Sequence, residues 1–166
     1  MSLPDNSQKR TLAIKTVFWT LVGLFAIMAI MIGVGNEMPA FNRFLIGLRN
    51  EMPALFKRFL NFSIIGGGAA LFILGITLII LTLKSGIGGK LKKFLILTGA
   101  SVAGIFVSIV LHNFIYGLFI HFFGPDFWTR IGTGGEEPVF FILATVVCPI
   151  GFLIGAIGST VLFTKK

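Results

Sequence analysis

The sequence predicts an all-α integral membrane protein: four transmembrane helices, with an amphipathic interfacial segment between the first and the second. Three observations predict it. Charge is missing from four long stretches, between Lys15 and Glu37, Arg58 and Lys84, Lys93 and Asp126, and Glu137 and Lys165. Each exceeds the ~20 residues a helix needs to cross a ~30 Å hydrocarbon core. Mean hydropathy is +0.98. Only 12% of residues are charged while 55% are hydrophobic, too apolar a surface for a soluble domain of 166 residues to hide.

The predicted spans are 16–35, 63–83, 94–119 and 138–163, with the interfacial segment over 37–62, and together they use nearly the whole chain as one membrane domain. The first span follows Lys9, Arg10 and Lys15 and is longer than a signal-peptide core, so it is expected to stay as an uncleaved helix. Trp19 near its start and Trp128 in the last outer loop suit the aromatic belts of a bilayer.

The segment after the first span holds an internal repeat, 36–45 and 50–60, each copy opening on Asn-Glu-Met-Pro. Phe41, Phe44, Leu45 and Leu48 follow helical i, i+3, i+4, i+7 spacing, as an amphipathic helix lying in the interface requires. In the second copy Leu55, Phe56, Phe59 and Leu60 oppose Lys57, Arg58 and Asn61, and that helix could continue into the second span. A lid, a docking surface and a plain connector all fit this segment.

Four spans leave both termini on one side. Placing them in the cytoplasm gives the inner segments nine basic residues (Lys9, Arg10, Lys15, Lys84, Lys90, Lys92, Lys93, Lys165, Lys166) against five outside (Arg43, Arg49, Lys57, Arg58, Arg130). The positive-inside rule therefore orients the chain with both ends in, in the cell membrane. The net charge of +8 is spent flanking the spans, which suits anionic headgroups and excludes nucleic acid as a partner. The glycine-rich inner loop between Lys84 and Lys93 lacks the spacing of a phosphate-binding loop, so its lysines are expected to anchor the turn on lipid.

Small residues recur at four-residue steps: Ala100, Gly104 and Ser108 in the third span, Gly151, Gly155 and Ser159 in the fourth. Rows of this kind let helix backbones approach closely, so the third and fourth spans are expected to pair, or one row to face a second subunit. Pro149 removes a main-chain hydrogen bond within the fourth span and predicts a kink.

Ionisable groups near the spans converge at one level. His112 lies 19 residues beyond Lys93, or ~28 Å along a helix, near the outer boundary. Topology brings Asn113, Tyr116, His121, Glu136 and Glu137 to the same level. Three chemistries fit this cluster: a hydrogen-bonded tie between the helices, a site for a quinone or lipid headgroup with Glu137 exchanging protons, and ligation of a metal or haem by His112 and His121. The last is disfavoured, because nine residues on one helix set the two histidines on opposite faces.

No catalytic motif, no metal site and no required cofactor emerge. Cys148 is the only cysteine, which excludes thiol–disulfide chemistry within one chain. The expected function is that of a non-enzymatic accessory or assembly subunit of a membrane complex, with the bilayer and a protein partner or a second copy as its company. The alternatives are a quinone-, lipid- or proton-handling subunit using the His/Tyr/Glu cluster, and a small homo-oligomeric transporter or channel.

Overall fold

Backbone amides in a long uncharged stretch find partners most economically within a helix, and the spacing of charges along the chain decides where each helix stops. The computed structural model describes residues 6–37 and 54–165, with side chains over 6–30 and 66–165. Its long helices are α1 (Asn6–Glu37), α2 (Ala54–Lys84), α3 (Gly89–Phe123) and, after a one-turn α4 (Phe127–Arg130), α5 (Pro138–Thr164). No strand occurs among the described residues. All four long helices contain segments long and apolar enough to cross a membrane.

Several boundaries differ from the sequence expectation, among them the start of α3 at Gly89 rather than at residue 94. α1 begins ten residues before the predicted span, because the polar turns ahead of Thr16 are helical too and Arg10 Nη1 donates to the Lys84 carbonyl at 3.2 Å. α2 begins at Ala54, so the part of the second repeat copy from Ala54 onward runs into the second span as one helix. The rest of the predicted interfacial segment, 38–53, lies outside the described residues. α3 extends to Phe123, where Gly124 (φ +89°) donates its N–H to the Ile120 carbonyl and Pro125 follows. At this positive φ a glycine ends the helix without the clash that a Cβ would bring.

α3 is the central helix. It packs on α2 and, most extensively, on α5. Ile14, Phe18 and Leu21 of α1, Leu78 of α2, Leu95 and Val102 of α3, and Phe152 and Ala156 of α5 form one buried core. Phe18 meets Phe163 edge to face at 5.5 Å, and Phe25 meets Phe152 at 3.9 Å, which brings α1 onto α5. This core occupies the half of the bundle that holds the α2–α3 turn. Facing outward instead are Ile27, Ile73, Phe114, Ile154 and many other large apolar side chains.

Glycines set the helix separations. A Cβ on Gly75 would lie 2.7 Å from the Gly99 carbonyl oxygen, and one on Gly99 would lie 2.6 Å from that of Gly75, so α2 and α3 touch backbone to backbone there. On the other face, Gly151, Gly155 and Gly158 of α5 lie against Ser101, Thr98 and Phe94 of α3, while Gly104 of α3 receives the Cys148 sulfur. Ala100 is exposed and outside this contact. Four-residue steps rotate ~40° around a helix each time, so a row that starts at Ala100 leaves the face that Thr98, Ser101, Gly104 and the buried Ser108 share.

Pro149 comes just after a π turn, Leu143–Val147, in which the Cys148 N–H donates to the Leu143 carbonyl five residues back. The widened turn carries the chain past a residue that has no N–H and whose ring would collide with the carbonyl four residues earlier.

Candidate functional site

The polar cluster is built by the start of α5 and the outer half of α3. Glu137 is the N-cap of α5 and Pro138 its first residue, an order that suits a helix start. The Glu137 carboxylate accepts from the Val139 N–H at 2.8 Å and the Phe140 N–H at 3.0 Å. It is buried, with 4% of the residue exposed. A negative charge out of contact with solvent needs such partners, and the helix dipole adds to them.

His112 supplies the third partner. Its Nδ1 lies 3.1 Å from the Glu137 carbonyl oxygen and 3.3 Å from Glu137 Oε2. Both oxygens accept only, so Nδ1 carries the proton and donates. On the other side of the ring, Nε2 lies 3.5 Å from Glu136 Oε2, an ion pair when that nitrogen is protonated too. The Glu136 side chain is 60% exposed, that of His112 only 16%. The imidazole therefore stands between one solvated carboxylate and one buried carboxylate.

Aromatic rings line up on either side of it. Phe141 lies 5.8 Å from the His112 ring, Tyr116 stacks on it at 6.1 Å, and Trp128 stacks on Tyr116 at 6.2 Å and 7°. His112 and Tyr116 are one helical turn apart on α3, which is why they share a face. Trp128 is buried beneath the outer loop and donates from Nε1 to the Tyr116 carbonyl at 3.3 Å. Thr133 holds that loop by donating from Oγ1 to the Trp128 carbonyl at 2.8 Å.

Of the six residues the sequence assembles at this level, four meet: His112, Tyr116, Glu136 and Glu137. Asn113 is exposed and donates to the Ile109 carbonyl of its own helix at 2.8 Å. His121 is exposed and stands edge-on to Phe122 at 5.2 Å. α3 is unbroken between His112 and His121, so ~13 Å of helix separates them and they cannot share a metal within one chain. Among the described residues no set of three His, Cys, Asp or Glu side chains is arranged to hold a metal ion.

Sequence reasoning missed Trp128, Phe141 and Thr133 as members of the cluster. Trp128 reads as an interfacial residue from its place in a loop. Only the turn through α4 folds it inward onto Tyr116.

Compared with known protein families, curated proteins and solved structures, the chain finds no match in any of the three.

Proposed function

We propose that this chain is a multi-pass integral membrane protein of the cell membrane, with both termini in the cytoplasm, acting as a non-enzymatic accessory or assembly subunit of a membrane complex. The observation that carries this reading is the internal satisfaction of the polar cluster. The Glu137 carboxylate is occupied by two main-chain N–H groups and His112, and His112 has an acidic partner at each ring nitrogen. Groups that bind a substrate need donors or acceptors left open for it. Here those of Glu137 and His112 are spent on fastening α3 to α5, while large apolar side chains on α1, α2, α3 and α5 face outward, as lipid or a partner span requires. The test is gentle extraction from the native membrane followed by native mass spectrometry. Stoichiometric co-purifying polypeptides support the reading, and a lone homo-oligomer retaining a small molecule overturns it.

One observation favours a second reading, a proton- or headgroup-handling subunit. Exposed Glu136, His112 and buried Glu137 form a continuous line of exchangeable groups from the surface inward. Under that reading Glu137→Gln abolishes activity and leaves assembly intact.

A further inference from the structure

The end of the bundle opposite the polar cluster carries a different feature. A groove of ≈ 490 Å³ lies between the α2–α3 turn and the last turn of α5, walled by Ile87, Leu91 and Leu162, with Lys90 and Lys165 at its rim. Ile87 and Leu91 pack inward on the buried core, so the apolar wall is continuous with the rigid part of the molecule. Gly88 offers α3 no side-chain cap. The main-chain N–H groups of the first turn therefore have no partner within their own helix.

Charge is distributed to match. Lys9, Arg10, Lys15, Lys84, Lys90, Lys92, Lys93 and Lys165 all belong to this end. Among the described side chains the acids are Asp126, Glu136 and Glu137, all at the other end. Two of these cations are already engaged: Arg10 on the Lys84 carbonyl, and Lys15 over the Phe163 ring at 5.6 Å. Lys90 and Lys165 rim the groove from two different helix ends and are exposed.

We infer that this groove seats one anionic phospholipid, its phosphate between Lys90 and Lys165 and its upper acyl chain along Leu91 and Leu162. This rests on the membrane-spanning reading above. A soluble anion would use the lysines and leave the apolar wall idle. A zwitterionic lipid would use the wall and bring no net charge to an end of the bundle whose charged groups, among the described side chains, are all cations. Only an anionic lipid answers both halves of the groove.

The test uses the full chain, purified in mild detergent and titrated with phosphatidylglycerol or phosphatidylcholine, with bound lipid counted by native mass spectrometry. Expected is retention of one phosphatidylglycerol in preference to phosphatidylcholine, reduced at least tenfold in the double variant Lys90→Gln/Lys165→Gln. It should be nearly unchanged in Lys9→Gln/Lys93→Gln, which removes the same charge outside the groove. Equal loss in both double variants overturns the site in favour of diffuse attraction. Displacement by millimolar inorganic phosphate overturns it in favour of a free anion site. Fractionation separates the two levels of inference: a chain that stays in carbonate-washed membranes without lipid preference sinks the groove alone, and a chain released by carbonate sinks the membrane reading as well.

Discussion

His112 and Glu137 are joined twice, through the carboxylate at 3.3 Å and through the main-chain carbonyl at 3.1 Å, both from Nδ1. The pairing fixes the imidazole tautomer and ties the start of α5 to the outer half of α3. Removing Glu137 undoes two things at once. Glu137→Ala is expected to cost about 2–4 kcal/mol, summing a helix cap and a charge-assisted hydrogen bond to a buried partner. His112→Ala should cost about 1–3 kcal/mol by leaving a buried carboxylate short of a donor. Glu136→Ala, whose side chain is 60% exposed, should change stability by less than about 1 kcal/mol. Thermal unfolding in detergent ranks the three. Unchanged melting in both Glu137→Ala and His112→Ala removes the structural tie and favours the proton-handling reading.

The α3–α5 contact should be intolerant of side-chain growth at Gly155. A Cβ there would stand 2.7 Å from the Thr98 main-chain nitrogen and 3.0 Å from the Phe94 oxygen, neither of which can move without moving α3. Gly155→Leu is expected to separate the two helices and lose folded protein on size-exclusion chromatography. Gly117 is the control: it is exposed on α3, and a Cβ there would meet nothing within 4 Å. Gly117→Ala should be neutral or stabilising by up to ~1 kcal/mol, the ordinary helix preference for alanine.

Thr82 Oγ1 and Ser159 Oγ are fully buried and find no hydrogen-bond partner among the described residues. Each is a polar atom placed where an apolar one would fit. Thr82→Val and Ser159→Ala should each raise stability by about 1 kcal/mol, the cost of an unmade buried hydrogen bond. A lowered melting temperature in either variant would show that the hydroxyl serves a partner molecule.

Pro149→Ala restores an N–H that can reach the Thr145 carbonyl, allowing the π turn Leu143–Val147 to tighten into regular helix. Amide exchange around 143–150 should slow, and stability should rise by no more than the ~3 kcal/mol that an interior proline costs. Destabilisation would mean that the wide turn itself is needed for α5 to meet α3.

Orientation can be read from single cysteines on a Cys148→Ser background. Lys165→Cys should resist a membrane-impermeant maleimide in intact cells, and Asp126→Cys should react. The reverse pattern puts the termini outside.

The sequence carried the helices almost completely, because charge-free stretches and flanking lysines are one-dimensional signals. It also set His112 and Glu137 at one level, since span lengths alone do that, but left open which acid, Glu136 or Glu137, would meet His112 or Asn113. It did not carry the rotational phase of each helix. Asn113 and His112 are neighbours in sequence, yet one turns to its own helix and the other across to α5. Ala100 illustrates the same limit: its spacing from Gly104 matches a packing row, but the row drifts around the helix and leaves it outside. Thr98 and Ser101, which face Gly155 and Gly151, gave no signal as packing residues because hydroxyls occur on every face. Trp128 was illegible for a different reason: a loop can turn a ring in either direction, and only tertiary contact decides.

The seating of the Cys148 sulfur on Gly104, where an added methyl would stand 2.9 Å away, gives the molecule a native gauge of its own integrity. The chain's one thiol is half-buried beside the seam between α3 and α5, so its surroundings change when that seam parts. Its alkylation rate, compared before and after unfolding, measures how much shelter that helix pair provides, in any lipid or detergent, without a label having to be engineered in.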